Sequence, residues 1–385
     1  CNHRPGSDPM DTRYDGNGEV IALNLTMNKL RGSLPTEIGA FSYLRVLDVG
    51  QNGIEGRIPR SIGNFPDLMT LYLGDNAFSG TIPSEIGFLT ECTHLYLDQN
   101  SLEGQIPPEV GNMMSLRMLG MYENYLSGTI PDLSNLLRIR DVYLDDNDLT
   151  GQIPASLFED KLDLRDLRLS ENKLTGKIPP EVGDLEVLNI LYVHNNALTG
   201  PIPKTVNKLR ELDEFHVHKN KLSGQIPAEL GMLRDLNSMY LDHNALSGTI
   251  PNTFGDLDDV ERLYLHNNNI SGSIPTFIER LDDLTHLRLN DNAFTGDFPS
   301  IHLNRMYKLR ILHLQNNHLR GQVPQELGLL KYLEEVLVQG NQMTGSMPEE
   351  LCKLRTTGVL EELQADCGEK ADPEVHCSCC TACFD

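Results

Sequence analysis

Tryptophan is absent from these 385 residues, and basic side chains are scarce: 32 Lys and Arg stand against 55 Asp and Glu, a formal net charge of −23. A chain this acidic is a poor match for nucleic acid, whose phosphates need a basic surface, and for anionic membrane surfaces. No run of 18 apolar residues occurs, so no segment is predicted to insert in a membrane as a spanning helix. No methionine and no signal peptide open the chain, which predicts a processed or trimmed product starting at Cys1. The local signatures of catalysis are missing too: there is no nucleophile elbow, no phosphate-cradling glycine loop and no zinc-protease helix. The expectation is a protein that is not an enzyme and carries no cofactor.

Cysteine is nearly absent from the first 350 residues, where only Cys1 and Cys92 occur. The other six, Cys352, Cys367, Cys377, Cys379, Cys380 and Cys383, crowd into the last 34 residues. Such a cluster predicts a disulfide-stapled cap, and disulfides imply an oxidising, secretory compartment. A zinc site is the competing reading, because Cys377, Cys380 and Cys383 are spaced like metal thiolates beside His376. The sequence does not choose the pairing. Cys92 stands in register with Leu68 and Leu116, as a buried free thiol filling an apolar slot would.

What the sequence has in abundance is one phrase. LRVLDVGQNGIEGRIP (44–59), LRMLGMYENYLSGTIP (116–131), LNSMYLDHNALSGTIP (236–251) and LRILHLQNNHLRGQVP (309–324) are the same sentence in different words. Its asparagine recurs fourteen times from Asn28 to Asn341, in steps of 24 residues apart from one of 23 and two of 25. Alternating leucines predict a short strand with one buried face. The asparagine amide, both donor and acceptor, can satisfy backbone groups in the following turn and in a neighbouring coil. The proline of I-P stops regular structure from continuing. One such unit cannot bury its own leucines, so the units must stack.

The phrase L-x-x-L-x-L-x-x-N-x-L-x-G-x-I-P resembles the plant-type leucine-rich repeat, the class of receptor-kinase ectodomains, receptor-like proteins and polygalacturonase inhibitors. The resemblance implies an α/β solenoid: a right-handed horseshoe with a parallel β-sheet on its concave face and few or short 3-10 or α helices on the convex side. It divides the chain into residues 1–19, the remnant of an N-terminal cap; 20–351, fourteen repeats; and 352–385, a Cys-rich C-terminal cap. The stretch from Cys352 through LEELQADC (360–367) to VHCSCCTACF (375–384) is similar to the caps of secreted repeat proteins from diatom-like algae. Leu360, Leu363 and Ala365 then form a degenerate last coil. A plant-type N-terminal cap carries several cysteines and a Trp in the manner of C-x-W-x-G-V-x-C; Cys1 sits where its last cysteine would be, so its partner is expected upstream.

Reading down the coils instead of along them exposes the variable positions of the concave face. Between the strand leucines stand Tyr72, Tyr96, Tyr143, Tyr192, His216, Tyr240, Tyr264, Arg288 and His313, and two positions on come Tyr122, His194, His218, Asp242 and His266. The repeat requires no aromatic there, and Tyr is a low-entropy contact residue enriched at binding hot spots. The bland alternative is lateral packing of Tyr on its strand neighbours. On one strand His216 and His218 would point the same way, about 6–7 Å apart. That makes a metal set of His194, His218, Asp242 and His266 conceivable, and Ca²⁺ on Asp145, Asp146 and Glu171 likewise, but neighbouring strands hold zinc ligands slightly too far apart. No metal is the expectation. Sequons at Asn24 and Asn269 are candidates for glycosylation in a secreted protein.

The predicted function is therefore an extracellular, non-catalytic module, secreted to the cell surface or cell wall, that binds protein or polysaccharide through its concave Tyr/His/Asp face. The alternatives are a structural or adhesive matrix protein that self-associates and, by resemblance, an inhibitor of a secreted glycan hydrolase. Ice binding would favour flat rows of Thr, and these columns are bulky and mixed.

Overall fold

In most repeats of the computed structural model, which describes residues 11–299, 303–368 and 375–384, the chain makes one coil of three parts. The coil around Asn100 shows them: a strand at His94–Tyr96, a second strand at Ser101–Gln105 and a 3-10 helix at Pro108–Asn112. Leu95 of the first strand, Leu97 just after it and Leu102 of the second strand are fully buried. Gly104, between the buried leucine and the I-P, has φ +78°, a conformation that only glycine adopts without strain. Pro107 then precedes the helix and ends the strand.

Coils stack in parallel and in register. Leu71 faces Leu95, Leu95 faces Leu119, and Tyr72 faces Tyr96. The second strands pair in the same way, Ser79 with Ser101 and Gly80 with Leu102. Each asparagine then ties coils together. Asn100 donates through Nδ2 to the carbonyls of Leu97 and Asp98 in its own turn and of Leu73 in the coil before, while its Oδ1 accepts from the N–H of Phe78. One amide thus satisfies backbone groups that a parallel stack would otherwise bury unpaired.

The residue before each asparagine turns the corner in a left-handed conformation. Gln99, Glu123, Lys219 and His243 have φ between +50° and +52° without being glycine. Each such residue is strained by about 1–2 kcal/mol, which the ladder asparagine and the paired strands offset.

The chain divides into two compact units, one running to Leu188 with Asn195–Ala197, the other comprising Asn189–His194 and Leu198 onward. In the first, an antiparallel strand at Asp11–Tyr14 lies against the first repeat strand, Val20–Asn24. Cys1 lies outside the described residues. In the second, the array ends in an α-helix at Glu349–Thr356, a parallel strand at Glu362–Ala365 and a last short strand at Ala382–Cys383. Leu360, Leu363 and Ala365 are fully buried, closing the leucine core. Gly368 stands at the asparagine position there, and the Asp366 carboxylate oxygens accept from the N–H groups of Gly340 and Asn341, whose counterparts in earlier coils bond to backbone carbonyls of the next coil. Three disulfides hold the cap: Cys352–Cys379, Cys367–Cys383 and Cys377–Cys380. The cysteines read as zinc thiolates are thereby taken up in pairs. Cys92 is fully buried, its thiol donating to the carbonyl of His94, and burial pushes it up to about 12.

Candidate functional site

In-register pairing fixes what the variable column can do. On adjacent strands Tyr192 faces His216, His216 faces Tyr240, Tyr240 faces Tyr264 and Tyr264 faces Arg288. Their backbones are about 4.8 Å apart, close to the thickness of a stacked pair of rings, so the side chains lie flat on one another. Ring centroids are separated by 4.4, 4.1 and 4.4 Å along Tyr192–His216–Tyr240–Tyr264, with planes within 6° of parallel. The Arg288 guanidinium caps the stack 4.9 Å from the Tyr264 centroid. All five belong to the second unit.

The stack corrects one part of the sequence reading, which took His216 as a solvent-facing contact. Both its faces are covered, its Nε2 lies 2.9 Å from Ser238 Oγ, and the residue is only 8% exposed. His313 is buried as well, with Nε2 2.8 Å from Glu335 Oε2. Lateral packing and an outward surface coexist instead: Tyr192, Tyr240, Tyr264 and Arg288 remain half-buried. Tyr192 donates to the Glu214 carboxylate beneath it.

His194 and His218 form a second stack beside the first, 4.3 Å apart, edge-on to the His216 ring at 6.1 and 6.0 Å. Burial, together with the neighbouring His194, pulls both His216 and His218 down to about 3. These rings are therefore neutral at any physiological pH. Burial pushes the Tyr240 phenol up to about 12.

The first unit carries a looser version. Tyr72 and Tyr96 are tilted at 4.9 Å, Tyr122 meets Tyr143 edge-on at 6.4 Å, and Arg168 lies over Tyr143 at 4.8 Å. Asp166 holds that group, accepting from Arg168 Nε and Nη2 and from the Tyr143 hydroxyl. Burial and the Asp98 carboxylate raise the Tyr122 phenol.

Of the metal sets considered from sequence, His194, His218, Asp242 and His266 do not converge, because His194 and His218 turn to each other. Asp242 takes His243 and His266 instead, at 2.8 and 3.5 Å. The sequence assigned no metal role to His243. Burial raises Asp145 to about 6, but Asp145, Asp146 and Glu171 do not form a metal-spaced group among the described residues. The sequon asparagines differ in access: Asn24 is half-buried with its Oδ1 accepting from Thr26 N–H, whereas Asn269 is exposed on a second strand.

A parallel stack of asparagine-linked coils, closed by a leucine-filled cap, defines the fold as a leucine-rich repeat solenoid. The sequence agrees, matching the family described as leucine rich repeat over residues 43–65, 67–89, 91–113, 163–185, 234–294 and 308–330. Among solved structures the chain is similar to the PEPR1–AtPEP1 complex, with 31% identity and a TM-score of 0.75 over 89% of this chain and 55% of that one. It is similar also to the plant peptide hormone receptor RGFR1 in complex with RGF2, at 27% identity, a TM-score of 0.74, and 95% of this chain and 68% of that one. A third is the Arabidopsis receptor kinase HAESA in complex with the peptide hormone IDA and the co-receptor SERK1, at 29% identity, a TM-score of 0.65, and 90% and 66% coverage. The chain thus spans little more than half the length of the first of these. Comparison with curated protein sequences finds no match.

Proposed function

We propose that this chain is an extracellular, non-catalytic recognition module that binds an extended protein segment along the first-strand face of its second unit. The observation that carries the reading is the Tyr192–His216–Tyr240–Tyr264–Arg288 stack, a rigid row in which the half-buried Tyr192, Tyr240 and Tyr264 present their edges around a nearly buried His216, and which the repeat itself does not require. Rings already locked by their neighbours lose little conformational freedom on binding, which is what makes a hot-spot row effective. Similarity to receptors solved with peptide hormones supports a protein partner, and the three cap disulfides support a secreted chain. Among the described residues no helix is long and apolar enough to cross a membrane.

A polysaccharide is the less favoured ligand. Sugars bind aromatic side chains through ring faces, and here the faces of His216 and Tyr240 are occupied by neighbouring rings, leaving edges and polar tips. The test is affinity capture from the native extracellular fraction with the whole chain, in parallel with a Tyr240→Ala/Tyr264→Ala chain. The expected result is a protein retained by the first and lost from the second, with the variant's circular dichroism unchanged. Equal retention by both, or capture of glycan or of the chain itself, would overturn the reading in favour of a wall or matrix role; slowing of a captured glycan hydrolase at a one-to-one ratio would identify the chain as its inhibitor.

A further inference from the structure

We propose that Asp242, His243 and His266 form a binding site for one divalent transition-metal ion, with Zn²⁺ the foremost candidate. Three features of the site carry this.

The first is geometry. Asp242 Oδ2 lies 2.8 Å from His243 Nδ1 and 3.5 Å from His266 Nε2, and all three ligand atoms are within 4.8 Å of one another. Ligands on a tetrahedral zinc, at about 2.0–2.2 Å from the ion, stand roughly 3.3 Å apart. The two imidazoles meet at 84° with centroids 5.0 Å apart, so neither ring blocks the approach of the other's nitrogen.

The second is how the chain builds this geometry. Asp242 and His266 occupy the same column on adjacent coils, and the short carboxylate meets the longer imidazole across one strand spacing. Consecutive residues of a regular strand point to opposite faces, and His243 would be lost to the site. Its left-handed backbone, at φ +51°, swings the ring back to the side of Asp242. A residue and its successor thereby become two ligands for one ion.

The third is electrostatic. The Asp242 side chain is 7% exposed, and among the described residues its ion-pair partners are the two imidazoles, with no lysine or arginine. A buried carboxylate whose ion-pair partners are imidazoles, with no lysine or arginine among them, lacks the fixed counter-charge that normally accompanies one. The His243 side chain is 45% exposed, so a coordination position on the solvent side stays open to water or to a side chain of a bound partner. Two histidines and one carboxylate suit Zn²⁺, Co²⁺, Ni²⁺ and Cu²⁺ and are a poor match for Ca²⁺ or Mg²⁺.

The experiment is a titration of the whole chain, stripped with chelator, with Zn²⁺ by calorimetry and with Co²⁺ by visible absorption. His243→Gln, His266→Gln and, as a control on an exposed ring outside the site, His318→Gln are carried in parallel. The expected result is one saturable ion per chain, bound at least about tenfold more weakly by each of the first two variants and unchanged in the third. Because nearly half of the His243 side chain is in solvent, H243Q decides the matter even if H266Q perturbs folding. No saturable binding at submillimolar metal, or saturable binding that neither variant weakens, would overturn the assignment.

Discussion

Asn268 shows how much a single side chain does in this architecture. It is 8% exposed, donates to the carbonyls of Leu241, Leu265 and His266, and accepts from the N–H of Leu246. Asn268→Ala leaves these backbone groups unpaired in a closed interior, so it should cost about 2–4 kcal/mol, several times the loss at an exposed asparagine such as Asn269. Chemical denaturation of the two variants checks this. Histidine supplies a second prediction. His216 and His218 titrate at about 3 in the folded chain against an ordinary 6.5. Between those values the unfolded chain takes up protons that the folded chain refuses, so their contribution to stability declines as pH falls from about 6.5 toward 3 and is constant above. Asp145, raised to about 6 by burial, acts in the opposite sense as pH falls through that value. The His216→Phe/His218→Phe chain keeps flat rings without the titration. Its denaturation midpoint should therefore fall less between pH 7 and pH 4 than that of the parent.

At the scale of the element, the C-terminal cap is where covalent chemistry substitutes for repetition. Cys352–Cys379 joins the Glu349–Thr356 helix to the last segment, and Cys367–Cys383 joins the strand Glu362–Ala365 to its neighbour. Breaking one native disulfide of a small cap costs about 2–5 kcal/mol. Mild reduction should therefore raise amide exchange in Glu362–Ala365 first, while Met239–Leu241 stays protected. Exchange spread evenly over both would count against the cap as a separate opening unit. The sequence made a last strand legible, because Leu360, Leu363 and Ala365 keep the strand spacing after the asparagine is gone. It could not show the pairing, since six cysteines within 34 residues can all reach one another and only the path of the chain decides. The corner residues were hidden for a related reason. Nothing in the identity of His243 announces a left-handed backbone, which is imposed by the two coils that it joins, so its meeting with Asp242 was invisible in columns read as straight strands.

For the molecule as a whole, a period of 24 residues was enough to give the strands, the buried leucines and the stacking order, because each follows from the alternation and from the asparagine alone. What side chains do across coils was only partly legible: the tyrosine column was plain, but that His216 would be sandwiched and nearly buried depends on ring orientation, which spacing does not encode. The in-register stack has a further consequence for the length of the chain. Between the two ends, the backbone groups of a coil such as that around Asn220 are met by the coil before and the coil after through the same set of atoms as in its neighbours, so such coils are interchangeable parts. Excising residues 221–244 joins Asn220 to Ala245 in phase and should yield a folded, cooperatively melting chain with a normal circular dichroism spectrum. The same excision removes Tyr240, Asp242 and His243 and brings His216 onto Tyr264. A protein assembled in this way can grow, shrink or shuffle its surface by whole turns of chain, and its fold does not record how many it began with.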